Sequence, residues 1–329
     1  MSNSQKSLKS KSIEVNEIAE NERYRKFSRN IYSIRAISMF LIVIYHIGSW
    51  FISIYLNSPV LLQMFYSFGF IGIDLFFFLS GMMLVVNILH RDLEKHSWNE
   101  WYKKRILRIF PGYWIMYILI LLIYFVTMRF YFELTFILIN FSGFQMIPLK
   151  NPNFGVIHFI YWFITVMLLC YLLCPLFFYV IRRNFKATLI IGVILFVVFV
   201  FYAALAKFES FNEYLIMFII AKFFVFFFGM TFGYWIGENN MENLEKIYNP
   251  KVGLYLFIIF VGIFIFFFLI AGTYIFMFPM MSIIIIPLLL FVFNKFDEAN
   301  KPLLFFGERS YEIYLNHSLT YLILDFILN

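Results

Sequence analysis

Apolar runs long enough to cross a bilayer recur along almost the whole chain, and few folds accept such a sequence. A helix of about 18 or more apolar residues spans the ~30 Å hydrocarbon layer. Runs of that kind lie near 31–52, 65–89, 112–128, 154–181, 187–206, 214–236, 252–270, 274–293 and 303–327. A weaker run, 134–149, is broken by Asn140, Gly143 and Pro148. It reads as a tenth span, a re-entrant segment or an interfacial helix. The chain is 63% hydrophobic and 14% charged, against roughly a quarter charged in soluble domains, and no water-soluble core of this size could hide those side chains. The predicted fold is all-α, a polytopic transmembrane helical bundle of about nine to ten spans. Residues 1–30, polar and mixed in charge, read as a mobile cytoplasmic tail before a membrane domain over 31–329.

Lysine and arginine in the connections predict the orientation. With nine spans and the N-terminus in the cytoplasm, twenty fall on the cytoplasmic side, in 1–30, 90–108, 182–186, 237–251 and 294–301. Only Arg129, Lys150 and Lys207 fall outside. A full crossing by 134–149 would move seven of those cations outward, so nine spans fit better. The net charge of +7 then reflects this asymmetry and gives no reason to expect a nucleic-acid partner. The first span is too long for a signal-peptide core and no small-x-small cleavage site follows it, so it should be retained. Cys170 and Cys174 lie four apart inside a span, too few ligands for a metal, and read as small buried hydrophobes.

Ionisable groups inside spans are costly unless paired or hydrated, which makes them the informative residues here. Arg35 and His46 are eleven residues apart in the first span. That is about three turns, so they share a face roughly 16 Å apart along the axis. A snorkelling arginine and a hydrogen-bonded core histidine would look the same, and the pair alone leaves both readings open. Asp74, about nine residues into span two, should lie close to the depth of His46. An imidazole is a plausible partner for it; a structural carboxylate near Gly69 and Gly72 is the alternative. Arg105 and Arg108, at i and i+3 before span three, point the same way. With Arg35 they could gather three guanidinium groups at the cytoplasmic face, forks that suit phosphate; plain positive-inside anchoring also explains them. In the last span Ser310, Tyr314 and His317 follow a 4-then-3 spacing and form one polar stripe. Two stripes rising from the cytoplasmic side to a buried histidine predict a hydrated path into the membrane.

The motifs, taken in order, resemble the acyltransferase-3 family of polytopic bacterial membrane enzymes that O-acylate surface glycans. They are Arg35-x10-His46, Gly72-Ile-Asp74-Leu-Phe-Phe-x-x-Ser80-Gly81 and Arg105-x-x-Arg108-Ile-x-Pro111, followed by Tyr161-Trp162-Phe163 with Tyr171-Leu172-x-x-Pro175, Phe228-Gly229-Met230-x-x-Gly233, and Ser310-Tyr311-x-x-Tyr314-Leu315-x-His317. The resemblance covers about 31–320. Two features depart from it. Met167 stands where many members carry glutamate, and members usually continue through one helix beyond the Ser-Tyr motif, whereas this chain ends at Asn329.

The resemblance implies an acyltransferase of the bacterial cytoplasmic membrane. Its co-substrate would be acyl-CoA, most often acetyl-CoA, with no bound cofactor or metal. The acceptor would be a hydroxyl of a cell-surface or lipid-linked glycan, and membrane lipids surround the bundle. It further implies His46 as general base, with Arg35 orienting the donor or stabilising an oxyanion. Arg105 and Arg108, with Arg35, would bind the donor, and Asp74, Ser80, Trp162, Ser310, Tyr311, Tyr314 and His317 would support the site or line the path. A transporter or glycan exporter, or an inactive family member, would use the same buried polar residues differently.

Overall fold

A computed structural model describes residues 3–56, 58–90, 97–126, 134–144, 156–205, 211–270, 278–295 and 301–328. Every element among them is helical. In chain order they are α1 (Asn3–Phe51, continued by a π turn, Ile52–Leu56), α2 (Pro59–His90), α3 (Trp98–Val126), α4 (Leu134–Phe141), α5 (Val156–Arg183) and α6 (Phe185–Leu205). There follow α7 (Phe211–Gly237), α8 (Asn243–Ile247), α9 (Pro250–Ile270), α10 (Phe278–Lys295), α11 (Lys301–Glu308) and α12 (Ser310–Leu328).

Six helices among the described residues are long and apolar enough to cross a membrane: Glu20–Ser49, Phe68–His90, Trp98–Val126, Tyr161–Arg183, Phe185–Ala203 and Ile216–Gly237. The protein is therefore a multi-pass helical membrane protein. Of the three further segments predicted to span, two contain shorter apolar helices, Pro250–Ile259 and Ser282–Lys295. The third, 303–327, is divided into α11 and α12 around Arg309.

The weak run at 134–149 yields α4, eight residues or about 12 Å, too short for a crossing. Its C-terminal carbonyls are nonetheless satisfied. Tyr113 donates to the Asn140 carbonyl, Trp114 Nε1 to Phe141 at 3.0 Å and Tyr117 to Ile137 at 3.2 Å. Thr165 donates at 2.7 Å to the carbonyl of Gly143, whose φ of +81° ends the helix. Side chains of α3 and α5 thus supply what water cannot supply to a helix end in an apolar setting. Residues 145–149 of the run lie outside the described residues.

Close backbone contact fixes the centre of the bundle. A Cβ at Gly229 would meet the Phe78 carbonyl, one at Gly233 that of Met82, and one at Gly81 that of Phe226. Gly229, Gly233 and Gly237 repeat every four residues on α7, the small-residue spacing that lets membrane helices touch backbone to backbone. The same holds at Gly307, where a Cβ would meet the Tyr32 carbonyl and separate α11 from α1.

Residues 3–30 belong to α1 without a break. From Glu20 onward this stretch is packed: Tyr24 donates to Asn87, and Phe27, Asn30, Ile31 and Ile34 are buried. Tyr24, Phe27, Ile31 and Ile34 recur at three- and four-residue intervals, so the charged residues around them ride on a helix with one buried face.

Candidate active site

Two polar stripes converge in the bundle. On α1 the stripe runs from Arg35 to His46; on α12 it runs from Ser310 through Tyr314 to His317. All of Ser310, Tyr314, His46 and His317 are buried. The two imidazoles meet, their ring centroids 4.8 Å apart and their planes 50° from parallel. Tyr45 and Tyr314 flank them, with centroids 4.5 Å from His46 and 5.2 Å from His317.

Helical backbone sets the orientation of both rings. His46 Nδ1 lies 2.9 Å from the Ile42 carbonyl, one turn back, and His317 Nδ1 bonds the Tyr314 carbonyl. A carbonyl oxygen only accepts, so in the neutral rings each Nδ1 carries the hydrogen. Each Nε2 then holds a lone pair. Buried His317 Nε2 has no hydrogen-bond partner. The pair presents two basic nitrogens with nothing of the backbone bound to them.

Aromatic side chains support the α12 stripe from the α3 and α5 side. Tyr161 shares a 2.5 Å hydrogen bond with Ser318 and its ring approaches Tyr314, as does Phe163 at 5.2 Å. Tyr311 donates to the Ile109 carbonyl at 2.8 Å, tying α12 to α3. Trp162 points elsewhere. Its ring packs edge-on against Phe218 at 4.7 Å and Phe163 at 6.3 Å, so it reaches the histidines only through Phe163 and Tyr314.

The three arginines singled out by sequence gather at one end of the bundle. Arg35, Arg105 and Arg108 line one cavity of about 70 Å³, with Ser28, Tyr32, Ser80, Asn87 and Tyr171 among its other walls. Arg105 lies over the rings of Trp101 (5.4 Å) and Tyr171 (5.7 Å), and Arg35 over Tyr32 (5.8 Å). Planar guanidinium groups held on aromatic faces stay ordered while keeping their N–H forks free.

Asp74 is not beside His46. Its partner is Lys222 of α7, and both side chains are fully buried. Phe218 and Phe70 flank the ammonium group, at 4.6 and 5.9 Å. The α1–α2 contacts also set the depth of Asp74 apart from that of His46. A Cβ at Gly69 would meet the Tyr45 ring, and one at Gly72 the Ser38 carbonyl. Asp74 therefore lies one to two turns nearer the arginine end than His46. Lys222 carried a signal in the sequence, being a lone cation deep in a span, and two opposite intramembrane charges are expected to find each other. Asn87 and Tyr24 carried none, because a cavity wall built from two helices has no spacing rule.

Met167, where the resemblance led to a glutamate, is a buried core side chain. His90 stacks on Tyr24 with centroids 3.9 Å apart and lies 3.6 Å from Glu20. His96 and the His158 side chain lie outside the described residues.

With this geometry in view, the comparison with known families is decisive. The acyltransferase-3 family, described as an acyltransferase domain, matches residues 29–329, nearly the whole chain. The chain belongs to the acyltransferase-3 family. No curated protein and no solved structure matches it. As a member of that family with multiple apolar helices, it is a membrane acyltransferase, and the acyltransferase-3 match begins where the packed part of α1 approaches the arginine cavity.

Proposed function

We propose that this protein moves an acyl group, probed first as acetyl, from acyl-CoA to a hydroxyl of a cell-surface or lipid-linked glycan. The observation that carries the reading is the meeting of His46 and His317 at the head of two stripes, one of which starts at the three-arginine cavity. Arg35 and His46 are eleven residues apart on an unbroken helix, about 16 Å along the axis. A donor with phosphates at one end and a thioester at the tip of a long flexible arm suits that separation.

In this reading Arg35, Arg105 and Arg108 hold the donor phosphates. Arg35 sits three turns from His46, which favours donor orientation over oxyanion stabilisation. His46 Nε2 takes the proton of the acceptor hydroxyl as its oxygen attacks the thioester carbonyl carbon. The C–S bond then breaks, and the CoA thiolate leaves and recovers the proton from His46. His317, Tyr314, Tyr311 and Ser310 line the path beside it, and Ser80 stands at its arginine end. Asp74 acts at a distance through its pair with Lys222, and Trp162 of α5 backs the path through Phe163.

The orientation that fits places the N-terminus and the arginine cavity in the cytoplasm, where acyl-CoA is made, in a nine-span arrangement at the bacterial cell membrane. The lysine and arginine distribution supports it. Membranes containing the protein, supplied with radiolabelled acetyl-CoA, should transfer label to a glycan fraction. Membranes that bind acetyl-CoA but label no glycan would return the chain to an inactive or transporting role.

A further inference from the structure

Asn87 is the one amide among the described residues that line the arginine cavity, and its orientation is fixed from behind. It lies on α2, nearly two turns beyond Ser80, and lines the same cavity as Arg35, Arg105 and Arg108. Its Oδ1 accepts a hydrogen bond from the Tyr24 hydroxyl of α1. Tyr24 is itself held by face-to-face stacking on His90, at 3.9 Å with the planes 6° apart. An amide has one acceptor oxygen and one two-hydrogen donor. With the oxygen turned to Tyr24, the –NH2 is what Asn87 offers to an occupant. Every strongly polar group that the cavity presents from Arg35, Arg105, Arg108 and Asn87 is then a hydrogen-bond donor.

We infer that Asn87, oriented by Tyr24, is a donor-site binding residue whose amide N–H groups bind a phosphate oxygen of the acyl-CoA, and that Tyr24 is its positioning residue. The inference rests on the assignment of the cavity to the acyl donor. It adds a selectivity element to that site: an acceptor-bearing group is welcomed, and a carboxylate introduced on the wall would repel it. A phosphate oxygen accepts charge-assisted bonds that are short and roughly twice as strong as neutral ones. The three guanidinium groups alone would attract any anion; the fixed amide adds direction.

Binding of acetyl-CoA and of S-acetylpantetheine, which lacks the phosphates and the nucleotide, tests this in the full-length protein in phosphatidylcholine nanodiscs, free of anionic headgroups. Asn87→Asp should weaken acetyl-CoA at least about tenfold, the scale of one lost bond to a charged group, and leave S-acetylpantetheine within about twofold. Asn87→Ala should move the same way, and guards against a misfolded Asp variant. Tyr24→Phe, which frees the amide to turn, should weaken acetyl-CoA by a smaller factor while Asn87 remains. Unchanged acetyl-CoA affinity in both Asn87 variants, or equal weakening of both ligands, overturns the inference. The double variant Arg105→Ala/Arg108→Ala separates the two layers: if it too binds acetyl-CoA normally, the assignment of the cavity to the donor falls. If it loses binding and the Asn87 variants do not, only the role of Asn87 falls.

Discussion

His46 and His317, from opposite ends of the chain, lie with their ring centroids 4.8 Å apart, and each ring is turned by a hydrogen bond to its own helix backbone. Both Nδ1 atoms are thereby committed to backbone carbonyls, and buried His317 Nε2 has no hydrogen-bond partner.

Loss of His46 should therefore be the most damaging single change to acyl transfer. His46→Ala should lower the rate by about 10²–10⁴, the usual contribution of a general base, at unchanged protein level. His317→Ala should cost less, because the nitrogen that takes the proton remains. Initial rates with labelled acetyl-CoA in membranes report both. Residual activity above a tenth of wild type in His46→Ala excludes His46 as the base.

The arginine cavity makes a separate prediction about binding. Arg105→Ala and Arg108→Ala should each weaken acetyl-CoA binding by about one order of magnitude, on the scale of 1.5–3 kcal/mol for a hydrogen bond to a charged group. Lysine at either place should restore only part, since a point charge cannot form the bidentate contact. Isothermal titration with acetyl-CoA distinguishes these outcomes, and full rescue by lysine would show that charge alone is read.

The Asp74–Lys222 pair predicts stability rather than chemistry. Both side chains are wholly buried, and Asp74 Oδ2 has no hydrogen-bond partner. Lys222→Met leaves a buried carboxylate uncompensated and should destabilise the protein by about 3–5 kcal/mol. Combining it with Asp74→Leu should recover much of that loss, because an apolar pair needs no desolvation. Thermal unfolding in one detergent across the three proteins checks the order. A double variant less stable than the single would mean that the pair contributes net attraction.

Orientation is open to a direct chemical measurement. Tyr55, exposed in the π turn after α1, should face outward, and Asn99, exposed at the start of α3, should face the cytoplasm. Cysteines placed there should react with a membrane-impermeant maleimide in intact cells at position 55 alone. The two native cysteines, Cys170 and Cys174, are buried and give little background. Labelling at 99 from outside inverts the proposed arrangement.

What could be read from the sequence was whatever repeats along a single helix. The eleven-residue spacing of Arg35 and His46, and the 4-then-3 spacing of Ser310, Tyr314 and His317, each fix a face, and the structure turns the ends of those two faces toward each other. The i, i+3 pair of Arg105 and Arg108 likewise shares one cavity with Arg35. Facts that depend on which helices are neighbours were not legible. The partner of Asp74 is on α7, five helices away in the chain, and it is the packing of α2 on α7, through the glycine contacts and the ring pairs Phe70–Phe218 and Phe78–Phe232, that brings Lys222 to it. The helical start of α1 was masked by its charge, since composition weighs Glu20, Arg23 and Lys26 equally whether or not Tyr24 and Phe27 share a buried face.

The glycine contacts between α2 and α7 also bear on how the cavity wall is supported. At Gly81, Gly229 and Gly233 the backbones of α7 and α2 touch with no side chain between, which braces α2. Ser80 and Asn87 are mounted on it. Arg105 and Arg108 stand on α3, whose apolar stretch is 28% buried in the protein against 72% for α2. Two of the three guanidinium groups are thus carried by a helix that shares far less of its surface with the bundle than the helix that carries the amide and the hydroxyl.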